Sequence, residues 1–231
     1  MGSSLPPDRH LLPMKYAVLI DGGFIRRRLG TRDDPFTLGK VTEFLGSLHA
    51  HPSLQGFALH RIYWYDANPL ERSANRPLRG GRVNFGTTPQ ANAGRALLRQ
   101  LCELPHVSVR RGELVFRGWR VRQSKLPEDE ATVTLSANDL EPDIHQKGVD
   151  MRIGLDIAAL TMKHHADVIV LVAGDSDFVP AMKLARREGA KLYLVTLGHV
   201  VRGGMVEHAD LLLDVPAATA CELQSQEMHA A

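Results

Sequence analysis

Four aspartates occupy positions at which their carboxylates could form one reactive site. Asp21 directly follows an apolar run, Asp175 and Asp177 follow another in the order Gly-Asp-Ser-Asp, and Asp150 begins a long amphipathic segment. In an open parallel sheet, reactive groups gather outside the carboxyl ends of the strands. Like charges brought together there repel and raise one another's pKa unless a cation neutralises them. The cluster therefore predicts Mg²⁺ or Mn²⁺, which prefers carboxylate and water oxygens and leaves positions for a substrate phosphate.

Each of these residues taken alone also has a structural interpretation. An aspartate or serine before a helix is often its N-cap, which would account for Asp175, Ser176 or Asp177. Asp21 precedes two glycines and could be a turn residue, and Asp66, before Ala-Asn-Pro, is more typical of a turn still. The metal interpretation is favoured because Asp21 and the Gly-Asp-Ser-Asp pair follow buried-type strands at the same sheet edge.

The long helix carries a second aspartate, Asp156, six positions after Asp150. Helical geometry rotates Asp156 by about 120° from Asp150, so the two cannot share a face. Asp150 is therefore the ligand candidate, and Asp156 is expected to have a supporting or structural role.

The elements that position these aspartates alternate between strand and helix. The run 16–20 is continuously apolar, and 167–173 is apolar after Asp167, which is typical of strands buried on both faces. The alternation predicts an α/β protein, a three-layer α/β/α sandwich around a mostly parallel sheet. Strands are expected over 16–20, 59–65, 167–173, 191–195 and 211–215, and helices over 38–50, 90–104, 148–164, a segment ending at 188–189, and 198–208.

Residues 67–130 form a basic insert in this pattern. The pattern predicts an exposed loop over 69–90 and a β-hairpin or meander over 107–122 that turns at Gly112 and Gly118. Residues 126–156 carry eight acidic side chains and are expected to form a mobile acidic loop leading to Asp150.

A single domain over 14–216 accommodates all of these elements. Residues 1–13 are polar and proline-bearing and are interpreted as a flexible leader or an expression scar, and residues 217–231 as a C-terminal tail. With 44% hydrophobic and 23% charged residues, the composition excludes a disordered or fibrous protein.

Positive charge is concentrated in the insert. The stretch 72–125 contains twelve basic and two acidic residues, which predicts a surface that binds the phosphates of RNA. Arginine forks suit phosphate oxygens, and an aromatic ring could stack on a base. The alternative is that Trp119 and Phe116 pack the hairpin onto the core while the arginines are merely solvated. The RNA-binding candidates are Arg110, Arg111, Arg117, Trp119, Arg120 and Arg122.

Cysteine content and hydropathy indicate the cellular compartment of the protein. Cys102 and Cys221 lie far apart, with neither a CxxC motif nor zinc-module spacing, so a disulfide framework and a structural zinc are disfavoured. No apolar run approaches the roughly 20 residues that a membrane-spanning helix needs. We therefore expect a cytoplasmic protein that does not associate with membranes, and a homodimer is left open.

Three segments of the chain resemble the NYN domain, in the LabA-like branch of the PIN-type nuclease superfamily. They are AVLIDGGF at 17–24, QKGVDMRIGLDIAAL at 146–160 and VIVLVAGDSDFVPAMKLARREGAKLYLVT at 168–196, and the resemblance extends over 14–216. One departure is Phe24, because many members of the family carry Asn at that position.

The resemblance implies a PIN-like fold and a metal-dependent ribonuclease. Its acidic pocket would consist of Asp21, Asp150, Asp175 and Asp177, with Ser176 assisting at the loop. Lys147 would lie near the pocket mouth. In this chemistry the metal-bound water attacks the phosphodiester, so no side-chain nucleophile is required.

Other protein classes fit the motifs less well. A haloacid-dehalogenase-like phosphatase needs a second Asp two residues after the first, where this chain has Gly23, and a Toprim-like domain needs Glu where it has Asp21. A non-catalytic RNA-binding adaptor with the same fold is the main alternative. The four aspartates argue against it, because a protein that only binds anionic RNA gains nothing from concentrated negative charge.

Overall fold

Most strands of the protein belong to one sheet. The structure, a computed structural model, describes residues 13–31, 33–129 and 131–216, so the expected leader up to residue 12 and the tail 217–231 lie outside the described residues. Along the described chain the strands are β1 (Lys15–Asp21), β2 (Ala58–Ala67), β3 (Ser73–Asn75), β4 (Arg82–Asn84), β5 (Val107–Val121), β6 (Leu140–Lys147), β7 (Val168–Val172), β8 (Lys191–Val195) and β9 (Leu211–Leu212).

The main sheet has seven strands in the order β6-β5-β2-β1-β7-β8-β9, and β3 and β4 form a separate two-stranded ribbon. Every neighbouring pair in the main sheet is parallel except β5 and β6. β1 and β7 lie at its centre, and all five residues of β7 are buried. Helices cover both faces of a parallel sheet, so every side chain of a central strand is buried. This is why the sequences of the central strands are continuously apolar.

Two helical layers cover the sheet, and alternate residues of β1 face each layer. Val18 and Ile20 lie in one core with the first three helices, while Ala17 and Leu19 lie in the other core with the fourth and fifth. The predicted three-layer α/β/α sandwich with a mostly parallel sheet is thus confirmed. The helices are α1 (Gly22–Leu29), α2 (Leu38–His49), α3 (Pro89–Glu103), α4 (Val149–Met162), α5 (Val179–Arg187) and α6 (Gly203–Glu207).

The strand segments expected over 107–122 are confirmed, but the turns expected within them are wrong. β5 is one strand of 15 residues that pairs with β2 in its first part and with β6 in its second. A Cβ on Gly112 would lie 2.6 Å from Val149 Cγ2, so glycine is needed there for close packing. Gly118 has φ +135° at an irregularity of the ladder. The partner of the second part of β5 is therefore β6, which lies outside the insert, and no hairpin forms within 107–122.

Five other expectations need correction. Residues 140–147 of the expected acidic loop form β6, because they pair with β5. The expected loop 69–90 contains the ribbon of β3 and β4 and the start of α3. The Gly-Gly pair expected as a turn begins α1, and the last strand and helix are shorter than expected. None of the described helices is both long enough and apolar enough to cross a membrane.

Candidate active site

Asp21 ends β1 and begins α1. Its Oδ1 accepts hydrogen bonds from the backbone N–H groups of Gly23 at 2.9 Å and Phe24 at 3.1 Å, so the side chain caps the helix. The residue is only 9% exposed. Among the described residues no donor reaches its second oxygen, Oδ2, which is therefore available to a ligand.

Asp175 lies three residues after the end of β7 and has a similar capping role. Its Oδ1 accepts a hydrogen bond from the N–H of Asp177 at 2.9 Å and caps the short 3₁₀ turn Ser176–Phe178, which leads into α5. The capping interpretation of Asp175 is therefore correct, and it does not exclude a second role. Like Asp21, Asp175 uses one oxygen as a cap and leaves the other without a partner in the described chain.

Asp150 lies in the first turn of α4, and its carboxylate interacts electrostatically with those of the other three aspartates. Burial raises the pKa of Asp21, and the charge of Asp150 raises it further, whereas the N–H of Phe24 and the charge of Arg27 lower it. Partial desolvation raises the pKa of Asp150, and the charges of Asp175 and Asp177 add to the effect. Asp150 therefore lies within electrostatic range of each of the other three aspartates.

The carboxylate groups of the four aspartates are suitable ligands for a hard divalent ion, but the distances between them are too large to hold one. Carboxylates are the ligands that Mg²⁺ and Mn²⁺ prefer, and mutual repulsion is relieved when a cation binds. As the side chains stand, no three His, Cys, Asp or Glu residues in the described part of the chain are grouped closely enough to hold a metal ion. Binding would therefore require these carboxylates to draw closer together.

A cleft of about 560 Å³ opens beside two of the aspartates. Asp21, Asp175 and Ser176 contribute its acidic and polar part. Asp150 and Asp177 lie outside the set of residues that line it. The remaining lining residues are Phe24, Arg27, Arg28, Gly174, His199, Val200 and Arg202.

Phe24 helps to shape this cleft. Its ring is buried and meets His199 edge to face, with ring centroids 5.9 Å apart. A Cβ on Gly174 would lie 2.6 Å from Phe24 Cε2, so the ring packs directly on the backbone at the end of β7. The residue that departs from the NYN pattern is thus a packing residue between the two strand ends that carry Asp21 and Asp175.

The predicted supporting residues are dispersed. Lys147 is exposed at the end of β6, beside the start of α4. Asp156 instead accepts hydrogen bonds from the Tyr65 hydroxyl at 2.8 Å and from Arg110 Nε at 3.1 Å, and so joins α4 to β2 and β5. This contact favours the structural role for Asp156.

The arginines predicted to bind RNA differ in their surroundings. Arg110 pairs with Asp156 and its guanidinium lies 5.2 Å from the centre of the Tyr63 ring. Arg120 pairs with Glu141 at 2.7 Å, and Arg111 donates to the Sγ of Cys102 at 3.6 Å. Within the described ranges only two of these arginines, Arg117 and Arg122, are exposed without an ion pair or hydrogen bond from the side chain.

Trp119 packs against other side chains of the insert. Its Nε1 donates to the carbonyl of Asn75 at 2.9 Å, and its ring contacts Phe85 and Phe116 with centroids 6.0 and 5.7 Å away. The Arg76 guanidinium lies 5.2 Å from the Trp119 ring. These contacts favour the packing interpretation of the aromatic residues over an open stacking platform for bases.

Sequence reasoning missed the basic side of the cleft. The run Arg26-Arg27-Arg28 begins two residues after the Asp-Gly-Gly-Phe motif, and a helix assigned there would have placed it beside Asp21. Arg202 and His199 carry no comparable signal, because they belong to the loop after β8 and only the fold brings them to Asp21.

An α/β/α sandwich with carboxylates gathered at the carboxyl edge of its central strands is an architecture that supports metal-assisted chemistry on phosphates. A family model described as "NYN domain" matches residues 95–210, half of the chain. The chain therefore belongs to the NYN domain family, a nuclease-type family. The matched segment includes Asp150, Asp175 and Asp177, while Asp21 precedes it.

No curated protein matches the chain. The solved structure of a protein of unknown function from Vibrio parahaemolyticus is similar over 87% of this chain and 92% of its own length, with 13% sequence identity and a TM-score of 0.47.

Proposed function

We propose that the protein is a metal-dependent ribonuclease that hydrolyses phosphodiester bonds of RNA. The observation that carries the proposal is the grouping of Asp21, Asp150, Asp175 and Asp177, in which the charge of Asp150 acts to raise the pKa of Asp21 and the charges of Asp175 and Asp177 act to raise the pKa of Asp150. Such repulsion is costly unless a cation offsets it, and functional sites are where perturbed carboxylates gather. Membership of the NYN family supports the same conclusion.

The four aspartates would hold Mg²⁺ or Mn²⁺ through their carboxylate oxygens. When bound, such an ion supplies a Lewis acid that activates water and offsets charge on a phosphodiester. Asp21 and Asp175 are fixed for this role by their caps, because Oδ1 is held by backbone N–H groups while Oδ2 faces no donor of the described chain. Ser176 lines the same cleft and can donate its hydroxyl proton to a phosphate oxygen.

The test is cleavage of 5′-labelled single-stranded RNA and the matched DNA with Mg²⁺, with Mn²⁺ or with EDTA. We expect metal-dependent cleavage of the RNA by the native protein and none by Asp175→Asn. Asparagine is also a good N-cap, so this variant keeps the turn and loses only the charge. Asp129→Asn is the matched control, because Asp129 is exposed in the loop before β6. Equal cleavage by native protein and Asp175→Asn would contradict the proposal.

A second candidate function is an RNA-binding adaptor without turnover. It is favoured by the spacing of the carboxylates, since the described residues contain no group of three donors close enough for a metal. Phe24, a packing residue where many family members carry Asn, also favours it. Salt-sensitive RNA binding with no cleavage under any metal condition would establish the adaptor.

Docking of RNA on the insert is a separate part of the proposal. Neutralising Arg117, Arg120 and Arg122 together is expected to weaken RNA binding. It should also reduce the slope of log K against log salt by up to about 2, since each phosphate contact to a single strand contributes about 0.7. Arg120 is expected to contribute least, because Glu141 already pairs with it. An unchanged slope would remove the insert from the binding surface.

The cytoplasm is the compartment we propose. Cys102 is an exposed free thiol, as suits a reducing environment.

A further inference from the structure

Three arginines converge on the cleft without a carboxylate partner in the described chain. Arg27, Arg28 and Arg202 all line the cleft and all are exposed. Arg26, on the same helix, differs because its guanidinium forms an ion pair with the buried Asp66. The positive charge of Arg26 is thus used within the fold, whereas Arg27 and Arg202 form no ion pair in the described chain and Arg28 donates to a backbone carbonyl.

The loop after β8 is held over the cleft from two sides. Arg28 donates to the carbonyl oxygen of Leu197 from Nε at 3.2 Å and from Nη2 at 3.0 Å. His199 meets Phe24 edge to face, and Leu197 and Gly198 have φ values of +49° and +70° that turn the chain back. This loop delivers His199 and, a few residues later, Arg202 to the cleft that contains Asp21.

The charges in the cleft suit an anion that lies beside the carboxylates. Asp21 and Asp175 contribute negative charge, the three guanidinium groups contribute positive charge, and the His199 imidazole contributes a ring nitrogen that can donate a hydrogen bond. Guanidinium groups bind phosphate through paired N–H donors, which makes phosphate the anion they recognise best. A volume of about 560 Å³ accommodates a nucleotide.

We propose that Arg27, Arg202 and His199 form a subsite for a phosphate group of the RNA strand, next to the phosphodiester that lies against the carboxylates. Arg28 is a positioning residue, because its guanidinium holds the loop through Leu197. The subsite rests on the proposed function for the identity of the strand. The subsite predicts that RNA binds at the cleft itself and not only on the basic insert.

The experiment measures binding of a short 3′-labelled single-stranded RNA by fluorescence anisotropy in EDTA over a series of salt concentrations. Arg202→Gln and Arg27→Gln are each expected to weaken binding by about 3- to 10-fold, as loss of one charged hydrogen bond does. Each should also lower the salt slope by about 0.7. Arg187→Gln is the matched control, since Arg187 is an exposed arginine of α5 whose ion pair within the described residues is with the adjacent Glu188.

Two RNAs of the same sequence, one with a 5′-phosphate and one with a 5′-hydroxyl, distinguish the source of the phosphate. A terminal phosphate gives tighter binding of the phosphorylated RNA, and this preference is lost in both cleft variants. An internal phosphate gives equal binding of the two RNAs and equal losses. Either result supports the subsite, and thermal unfolding confirms that the variants fold.

The subsite is overturned if the native protein binds neither RNA, or if the cleft variants keep the native affinity and salt slope. Its failure is distinguishable from failure of the ribonuclease proposal. Native cleavage of RNA with normal binding by Arg202→Gln and Arg27→Gln rejects the subsite alone. Weakened binding in those variants without cleavage by the native protein supports the subsite and rejects the ribonuclease.

Discussion

Replacing Gly174 with alanine tests whether the candidate site is packed as tightly as the structure indicates. The new Cβ would lie 2.6 Å from Cε2 of Phe24 and 2.8 Å from Cδ2 of His199. Carbon atoms prefer a separation of about 3.5 to 4.0 Å, so one or both rings must move by about 1 Å. His199 is exposed and can yield, but Phe24 is buried and cannot move without disturbing its neighbours.

The expected cost is that of overpacking a core, about 1 to 3 kcal/mol of the free energy of unfolding. Urea denaturation with linear extrapolation measures it. The same substitution at Gly154, in α4, is the matched control. There the new Cβ would lie 3.8 Å from the Cβ of Ala181, an ordinary contact. Gly154→Ala should therefore stabilise the protein by about 0.4 to 1 kcal/mol, because alanine loses less backbone entropy in a helix.

A double-mutant cycle identifies the cause. In a Phe24→Leu background the aromatic edge is gone, and Gly174→Ala should cost at least about 1 kcal/mol less than in the native background. The reasoning is refuted if Gly174→Ala changes the free energy of unfolding by less than about 0.5 kcal/mol. An equal cost with and without the Phe24 ring would refute it as well.

Three further predictions concern hydrogen bonds and metal binding. Tyr65→Phe removes the donor to Asp156 and should destabilise the protein by about 1 to 2 kcal/mol in urea denaturation, since the other donor to that carboxylate stays in place. Hydrogen bonds from Ser136 are the largest cause that lowers the pKa of Asp139 to about 2, so Ser136→Ala should raise it towards 3.8 in an NMR titration. Because the native pKa is depressed, this carboxylate's contribution to stability is present above pH 3.8 and lost as the pH falls towards 2, and the variant should show less of that loss. Mg²⁺ at ten times its Kd should stabilise the native protein by about 1.4 kcal/mol in thermal unfolding, and Asp150→Asn should reduce the effect.

The strand ends of the candidate site could be predicted because their signals are local. An unbroken apolar run such as 168–172 is sufficient to indicate a buried strand, and the carboxyl-edge rule then places the following Asp175 without further information. The same logic applies to Asp21, whereas Asp150 is a candidate because it lies at the start of the long helix α4. Family motifs added Ser176, which lines the cleft.

The insert was predicted less well because its glycines and aromatic residues serve tertiary contacts. Gly112 allows α4 to approach β5, and Gly118 accommodates an irregularity in a long strand, yet in sequence both resemble turn residues. The helix α1 was missed for the related reason that Gly22 and Gly23 are poor helix formers. The Asp21 cap offsets that preference, and only the hydrogen bonds to its Oδ1 reveal it.

The arginine run of α1 shows why counting basic residues is insufficient to locate a nucleic-acid surface. Successive helical residues point about 100° apart, so three adjacent arginines have three different surroundings. Arg26 pairs with Asp66, Arg27 lies near enough to Asp21 to lower its pKa, and Arg28 holds the loop at Leu197. One short helix, capped by Asp21 itself, therefore fixes both a candidate metal ligand and the cationic side of the cleft. Any substitution that unwinds α1 should impair metal binding and RNA binding together, whereas loss of Arg27 alone should impair mainly the second.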